Sequence, residues 1–230
     1  MRVFAIADPH LSGANSKPMD IFGGNWEGHP EVFFERWRET VGDNDLVLVP
    51  GDISWAMHLD EALIDLKAIA ALPGQKVLLR GNHDYWWSSI SKVRAQLPPS
   101  LYALQNDALR FAGITVAGTR GWTVPGSFDF SEQDAKIYAR EVERLKLSLA
   151  AAAKLGGDTL IVMLHYPPTN PRLEPSEMMD ILVKAAPDIV VFGHIHGEKP
   201  SLPLPKLGNT KVFFVAADAL SFTPQLIFSG

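Results

Sequence analysis

Five short polar segments of this chain could do chemistry together, because they hold five of its seven histidines along with several Asp and Asn residues. Imidazole and carboxylate ligands suit divalent zinc, manganese or iron. Two such ions close together clamp the attacking and leaving oxygens of an in-line phosphoryl displacement. The residue types therefore indicate a two-metal hydrolytic site. The segments are Asp8-Pro9-His10, Gly51-Asp52, Gly81-Asn82-His83-Asp84, His165 and Gly193-His194-Ile195-His196.

Each polar segment follows an apolar run that is typical of a buried strand. In an open α/β sheet the ligand crevice lies beyond the carboxyl ends of the strands, so the five segments are expected to converge in space. Glycines directly precede Asp52, Asn82 and His194, as expected where a strand turns sharply and the backbone passes close to a site. The apolar runs cover residues 3–7, 46–49, 76–79, 160–164 and 189–192.

The other elements predict an α/β fold, because strand-like and helix-like runs alternate along the chain. Three short strands between residues 101 and 117, separated by polar turns, favour an antiparallel meander and hence a mixed sheet. Two more strands are predicted at 212–216 and 226–228. Helices are predicted over residues 30–41, 59–71, 88–97, 131–155 and 176–185.

Composition sets limits on the function. With 230 residues, 47% apolar and 20% charged, we expect a single domain over residues 1–230. A net charge of −5 leaves no broad basic surface for a nucleic acid. The absence of cysteine excludes disulfides and thiolate sites. No apolar run has the length of a membrane span or of a signal-peptide core, so we expect a cytoplasmic protein without a membrane partner.

In this order the five segments resemble the calcineurin-like metallophosphoesterase superfamily, and the resemblance covers residues 8 to 196. It implies a four-layer sandwich of two mixed β-sheets flanked by α-helices. It also implies hydrolysis of a small-molecule phosphomonoester or phosphodiester by in-line attack of a hydroxide that bridges two transition-metal ions. Manganese is the expected metal, with iron and zinc as alternatives.

The resemblance also implies roles for the individual residues. His83 would bind no metal; it would face the substrate phosphate and protonate the leaving oxygen, with Asp84 fixing its tautomer. Asp52 would bridge the two ions. The first ion would be held by Asp8, His10 and His196, and the second by Asn82, His165 and His194.

Substrate contacts are less well defined by the sequence. Trp55 and Trp122 are either pocket walls or ordinary packing residues. Arg120 and Lys17 are either phosphate ligands or surface charges, and Tyr166 could serve in either way. His29 and His58 lie outside the segments and are expected in loops or at the surface. Substrate selection is expected from the loops over 11–30, 119–130 and 166–175.

Two alternatives to a small-molecule phosphoesterase remain open at this point. One is a non-catalytic scaffold of the same fold that binds a protein; it would have no reason to keep the whole ligand set together with His83. The other is a nuclease, which the acidic charge balance and the lack of basic clusters disfavour.

Overall fold

The computed structural model describes residues 1–14, 17–19, 21, 23–197 and 204–230. Positions 15, 16, 20 and 22 of the expected functional loop over 11–30 lie outside the described residues. The chain forms two compact units, each made of more than one stretch. The first comprises Met1–Ala103, Gly193–Pro200 and Val215–Gly230, and the second Leu104–Phe192 and Ser201–Phe214. The expectation of one domain over 1–230 stays a prediction.

The first unit is built on a mixed five-stranded sheet in the order β10-β1-β2-β3-β4. Strands β1, β2 and β3 run parallel, and β10 pairs antiparallel with β1. All residues of β2 are buried, as expected for a strand covered on both faces. The strands are β1 (Arg2–Ala5), β2 (Leu46–Pro50), β3 (Gln75–Leu79), β4 (Leu101–Leu104) and β10 (Gln225–Ser229), and the helices are α1 (His29–Thr40), α2 (Leu59–Ala70) and α3 (Ile90–Gln96).

The second unit contains the sheet β5-β6-β7-β8-β9. Its first pair is antiparallel and the remaining pairs are parallel. Apolar residues of α4 and α5, including Val142, Leu145 and Leu182, pack with the buried strands β7 and β8. The elements are β5 (Ala108–Phe111), β6 (Ile114–Thr119), α4 (Glu132–Leu155), β7 (Thr159–Leu164), α5 (Glu177–Ala185), β8 (Ile189–Phe192) and β9 (Lys211–Phe214).

The helix ends follow from local chemistry. Ser131 caps α4: its hydroxyl accepts from the amide of Asp134, whose carboxylate in turn accepts from the amide of Ser131. Ser176 caps α5 in the same way through the amide of Met179. Gly156, in the left-handed region at φ 63°, ends α4. These boundaries agree with the sequence prediction to within a residue.

The predicted class, two mixed sheets flanked by helices, is confirmed, but the expected meander is wrong in one respect. Of the three strands expected to form it, β4 belongs to the first sheet, whereas β5 and β6 form an antiparallel pair in the second. The physical reason is the turn at Gln105-Asn106-Asp107. Asn106 takes a left-handed φ of 62°, and the Asp107 carboxylate accepts a hydrogen bond from the amide of Gln105, so the chain leaves the first sheet after Leu104.

None of the helices formed by the described residues has the length and apolarity to cross a bilayer.

One charged residue lies in the core of the first unit. The side chain of Lys76 on β3 is fully buried, and its Nζ donates to the carbonyls of Ala70 (3.2 Å) and Leu72 at the end of α2. Burial lowers the pKa of Lys76 to about 8 against a partly opposing effect of Asp43. The amine is therefore costly to keep charged in the folded protein.

We expect this lysine to shape the pH dependence of stability. Between about pH 8 and 10.5 the unfolded chain binds more protons at Lys76 than the folded chain does, so this residue makes the free energy of unfolding rise with pH. Denaturant titrations should show that the free energy of unfolding of wild type rises across this pH window by up to about 3 kcal/mol more than that of Lys76→Met. Lys67→Met, at an exposed position of α2, should keep the wild-type slope; equal slopes for all three proteins would contradict the assignment.

Candidate metal centre

The first three expected ligands converge within the first unit. One ligand atom each of Asp8, His10 and His196 lies within 4.8 Å of the others. The Nε2 atoms of His10 and His196 are 3.2 Å apart, and His196 Nε2 is 3.9 Å from Asp8 Oδ1. Asp8 and His10 are buried, and His196 is partly exposed. The cluster therefore offers one carboxylate and two imidazoles around a single point.

Asp52 lies beside this cluster. Its Oδ2 is 3.7 Å from His10 Nε2, while its Oδ1 accepts a hydrogen bond of 2.8 Å from the amide of His83. A ring nitrogen of His194 lies within 4.8 Å of a carboxylate oxygen of Asp52. The carboxylate thus has His10 of the first ligand set and His194 of the second as neighbours, which fits the bridging role inferred for it. Asn82 is half-buried in the β3 exit loop, directly before His83.

Backbone hydrogen bonds beyond the strand ends hold the exits of β1 and β2 together. The amide of Asp8 donates to Gly51 O, and the amide of His10 donates to Asp52 O, each at 3.0 Å. Several of the candidate ligands lie at turns with left-handed backbone, which costs of order 1–3 kcal/mol at a non-glycine residue and is enriched at functional sites. The φ values are 60° at Asp8, 45° at His10, 50° at Asp52 and 75° at His194.

Two glycines allow the close approach of these loops. A Cβ on Gly193 would overlap the Asp8 carboxylate and the Cβ of Ala7. A Cβ on Gly81 would overlap the carboxylate and the amide of Asp52. The absence of a side chain at both positions is therefore a steric requirement of the ligand geometry.

His83 lies next to the cluster with aromatic neighbours. Its ring centroid is 5.8 Å from that of His10 and 4.5 Å from that of Trp55. The ring is partly exposed, and the Tyr85 hydroxyl is 3.5 Å from its Nδ1, a long contact for a hydrogen bond. The imidazole is thus accessible at the edge of the candidate centre.

Asp84 takes a different place from the one inferred for it. Its Oδ1 accepts from the amides of Ile53 (2.8 Å) and Ser54 (3.2 Å) and from Trp86 Nε1 (2.9 Å), and its Oδ2 accepts from the amide of Gly81 (2.7 Å). Burial, with a contribution from the charge of Asp52, raises the pKa of Asp84 to about 6. The carboxylate thus binds the loops after β2 and β3 together, which replaces the expected contact with the His83 ring.

The substrate candidates of the first unit stack on one another. Trp55 stacks on His10 with ring centroids 4.9 Å apart and planes 23° from parallel. Lys17 Nζ lies 3.3 Å from the centroid of a Trp55 ring, in cation–π geometry. The Trp55 ring therefore contacts both the exposed Lys17 and the candidate ligand His10.

The remaining candidates belong to the second unit. His165 is buried directly after β7, and its amide donates to Arg120 O at 3.0 Å. Arg120 pairs with the buried Glu141 at 3.2 Å and lies over the ring of Trp122. Tyr166 is also buried and packs on Trp122 with ring centroids 5.0 Å apart. The roles of these four residues stay predictions.

Three residues near the cluster were missed by sequence reasoning. His29, expected in a loop or at the surface, is instead buried on α1, with Nε2 3.1 Å from Pro9 O. Trp26 is buried with its ring 5.4 Å from that of His196, and its Nε1 has no hydrogen-bond partner among the described residues. The third is Asp218, whose Oδ1 is 3.1 Å from His196 Nδ1. None of the three stands in a motif that could have signalled it.

The residues present fit a divalent cation. Asp8, Asp52 and Asp218 are buried carboxylates around His10 and His196, and buried acidic groups call for a compensating positive charge. Burial lowers the pKa of His196, but its hydrogen bond to Asp218 and the charges of Asp8, Asp218 and Asp52 outweigh this, so its pKa is raised. In the cation-free protein the carboxylates thus draw a proton to the imidazole, and a metal ion could replace that proton.

The chain belongs to the calcineurin-like phosphoesterase family, whose sequence profile matches residues 1–198. The family expected from the five segments is thereby confirmed. No curated protein is a significant match to the chain.

Solved structures share the fold at low sequence identity. The phosphopantetheinyl hydrolase PptH from Mycobacterium tuberculosis is similar with a TM-score of 0.56 at 12% identity, covering 100% of this chain and 96% of that one. A protein of unknown function from Aquifex aeolicus has a TM-score of 0.50 at 16% identity, with 97% and 94% covered. At these identities the likeness supports the fold alone.

A methyl group at Gly193 should disturb cation binding. Gly193→Ala would push the Asp8 carboxylate out of place, and we expect Mn²⁺ affinity, measured by isothermal titration calorimetry, to fall by roughly ten- to a hundredfold. Gly24→Ala is the matched control, because a Cβ there meets no atom within 4 Å. Unchanged affinity in Gly193→Ala would show that Asp8 does not bind the ion.

Proposed function

We propose that this chain is a dinuclear metal-dependent phosphoesterase acting on a small-molecule phosphomonoester or phosphodiester. The observation that carries the proposal is the convergence of Asp8, His10 and His196, with Asp52 and His83 adjacent. Membership of the calcineurin-like phosphoesterase family supports the same reaction class.

The donor set defines which residues would hold the cations. Asp8, His10 and His196 would bind one ion, and Asp52 would bridge to a second ion held by His194 and Asn82. Oxygen and imidazole ligands without thiolate suit manganese, and also iron and zinc. When bound, the cations would supply positive charge to the phosphoryl oxygens and lower the pKa of water.

Trp55 and Lys17, next to His83, would control access to the candidate centre. Trp55 covers one side of His10 and contacts His83, so it excludes water from the buried ligands and limits where a substrate can enter. Lys17, on the Trp55 ring, adds a cation at this rim that would attract a phosphorylated substrate.

His83 would act on the leaving group. Its amide is fixed to Asp52 at 2.8 Å, so the bridging carboxylate sets the position of the backbone that carries the imidazole. The ring is partly exposed and lies beside His10, where it could donate a proton to the leaving oxygen. Tyr85, half exposed near Nδ1, would hold the ring in place.

Metal analysis tests the dinuclear centre. The purified protein should bind about two equivalents of a transition metal, lose hydrolysis of p-nitrophenyl phosphate with a chelator, and recover it with Mn²⁺. Asp52→Asn should lower both metal content and activity, because it weakens the bridge. Asp60→Asn, at an exposed position of α2, should change neither. Activity that resists chelation, or a single bound ion insensitive to Asp52→Asn, would refute the proposal.

Leaving-group dependence tests His83. His83→Ala should keep its metal and its fold but lower kcat by roughly a hundred- to ten-thousandfold for an alkyl phosphate. The loss should be smaller for p-nitrophenyl phosphate, because a weakly basic oxygen needs less protonation. His58→Ala, an exposed histidine outside the site, serves as control. An equal loss for both substrates would exclude the general-acid role, and loss of metal would make His83 a ligand.

The substrate itself calls for a panel assay. Nucleotides, cyclic nucleotides, sugar phosphates and lipid-like diesters should be compared with Mn²⁺ present. Because the Mycobacterium neighbour bears the name phosphopantetheinyl hydrolase, a phosphopantetheinyl diester belongs in the same panel. The substrate with the highest kcat/KM defines the monoester or diester specificity.

A further inference from the structure

Asp218 is a buried acidic residue that lies outside all five motif segments. Its side chain is fully buried, although it stands between two alanines in a loop after β9. It also lies beyond residue 198, where the match to the family ends. Neither the motifs nor the family match gives it a role.

The carboxylate of Asp218 is fixed by three donors. Oδ1 accepts from the amide of Ala219 at 3.0 Å, and Oδ2 accepts from the amide of Gly197 at 3.1 Å. The remaining contact of Oδ1 is with His196 Nδ1, at 3.1 Å. Both oxygens are thus engaged, and the group cannot turn without losing hydrogen bonds inside the protein.

This contact selects one tautomer of His196. An ionised carboxylate only accepts hydrogen bonds, so Nδ1 must carry the proton. A neutral imidazole has one N–H, and Nε2 then presents its lone pair. Nε2 is the atom that lies 3.2 Å from His10 Nε2 and 3.9 Å from Asp8 Oδ1. The lone pair therefore faces the point where the first ligand set converges.

The other tautomer would be unfavourable. With the proton on Nε2, the lone pair of Nδ1 would face the Asp218 carboxylate at 3.1 Å, and the N–H would occupy the direction needed for a cation. A carboxylate behind a ligating imidazole fixes its tautomer and raises its basicity.

The segment that carries Asp218 is hydrogen-bonded to Ala7, in the segment that follows β1. The amide of Ala7 donates to Val215 O at 2.7 Å, and the amide of Ala217 donates to Ala7 O at 2.9 Å. Ala7 directly precedes Asp8, so these two bonds fix Asp218 relative to Asp8. One short segment thus positions a carboxylate ligand directly and an imidazole ligand through Asp218.

We propose that Asp218 is a positioning residue that holds His196 in its Nδ1–H tautomer and aims Nε2 at the first cation position. The tautomer is a property of the cation-free chain; only its consequence for cation binding rests on the proposed function.

The tautomer can be measured directly. In metal-free, ¹⁵N-His-labelled protein, at an alkaline pH at which the ¹⁵N shifts show that the His196 ring is neutral, long-range ¹H–¹⁵N correlations should show the Nδ1–H form for His196. Asp218→Ala should shift His196 toward the Nε2–H form that predominates in free imidazole side chains. Asp218→Asn should largely keep the Nδ1–H form, because its amide oxygen can still accept. An unchanged tautomer in Asp218→Ala would overturn the proposal.

Cation affinity gives a second measurement. Calorimetric titration with Mn²⁺ should show roughly ten- to a hundredfold weaker binding to Asp218→Ala and a smaller loss in Asp218→Asn. Asp45→Ala is the matched control. The Asp45 carboxylate also accepts a hydrogen bond from a backbone amide, that of Gly42 at 2.8 Å, but Asp45 lies at the start of β2, whereas the candidate ligand Asp52 follows its end. If Asp45→Ala weakens binding as much, the effect of Asp218 is general destabilisation, and the positioning role fails.

The two measurements separate this inference from the proposed function. If wild type binds no Mn²⁺ although the Asp218-dependent tautomer is present, the phosphoesterase proposal fails and the tautomer role stands. If wild type binds Mn²⁺ and Asp218→Ala binds it equally well, the role of Asp218 is refuted and the phosphoesterase proposal stands.

Discussion

The candidate centre depends on one repeated interaction, in which a buried carboxylate in one loop accepts a hydrogen bond from a backbone amide of another loop. Such a bond fixes two loops relative to each other and also stabilises the charged form of the acid. Because the loops come from distant parts of the sequence, the carboxylates brace the ligands across the unit. The pairs are Asp8 with His194, Asp52 with His83, Asp84 with Ile53 and Ser54, and Asp218 with Gly197.

Burying these carboxylates close together costs free energy, which other interactions of the fold must offset. These four carboxylates are buried in one unit, where like charges repel strongly and desolvation penalises each of them. The raised pKa of Asp84, caused first by burial and then by Asp52, is a direct sign of that cost. The amides and the imidazoles of His10 and His196 act against it, and a bound divalent cation would do so as well. Apolar residues at these positions would often be at least as stable, so the buried carboxylates agree with the proposed cation-binding role.

Much of the fold could be predicted from the sequence, because the apolar runs and the capping residues act locally. The positions of Asp8, His10 and His196 after strand-like runs also predicted that these residues lie close together. β4, β5 and β8 begin and end where the pattern predicted, and α4 ends at Leu155 as expected. The features that were missed depend on tertiary contacts. The run over 76–79 predicted a buried strand but not how the charged Lys76 is accommodated in it, which depends on carbonyl acceptors at the end of α2. The same holds for His29, whose acceptors lie in the β1 exit loop.

Asp218 shows why motif reasoning stops short of a complete site. A metal ligand is recognisable because its residue type and spacing are imposed by the cation, whereas a residue that orients a ligand needs only an acceptor at the right place. Many loops could supply that acceptor, so its sequence position follows from the topology. Here the topology brings 215–217 against Ala7, and the acid one residue later reaches His196. An aspartate that looks like an ordinary turn residue between two alanines thus gains its role from the register of one short pairing, and a shift of that pairing by one residue would turn the carboxylate away from the imidazole.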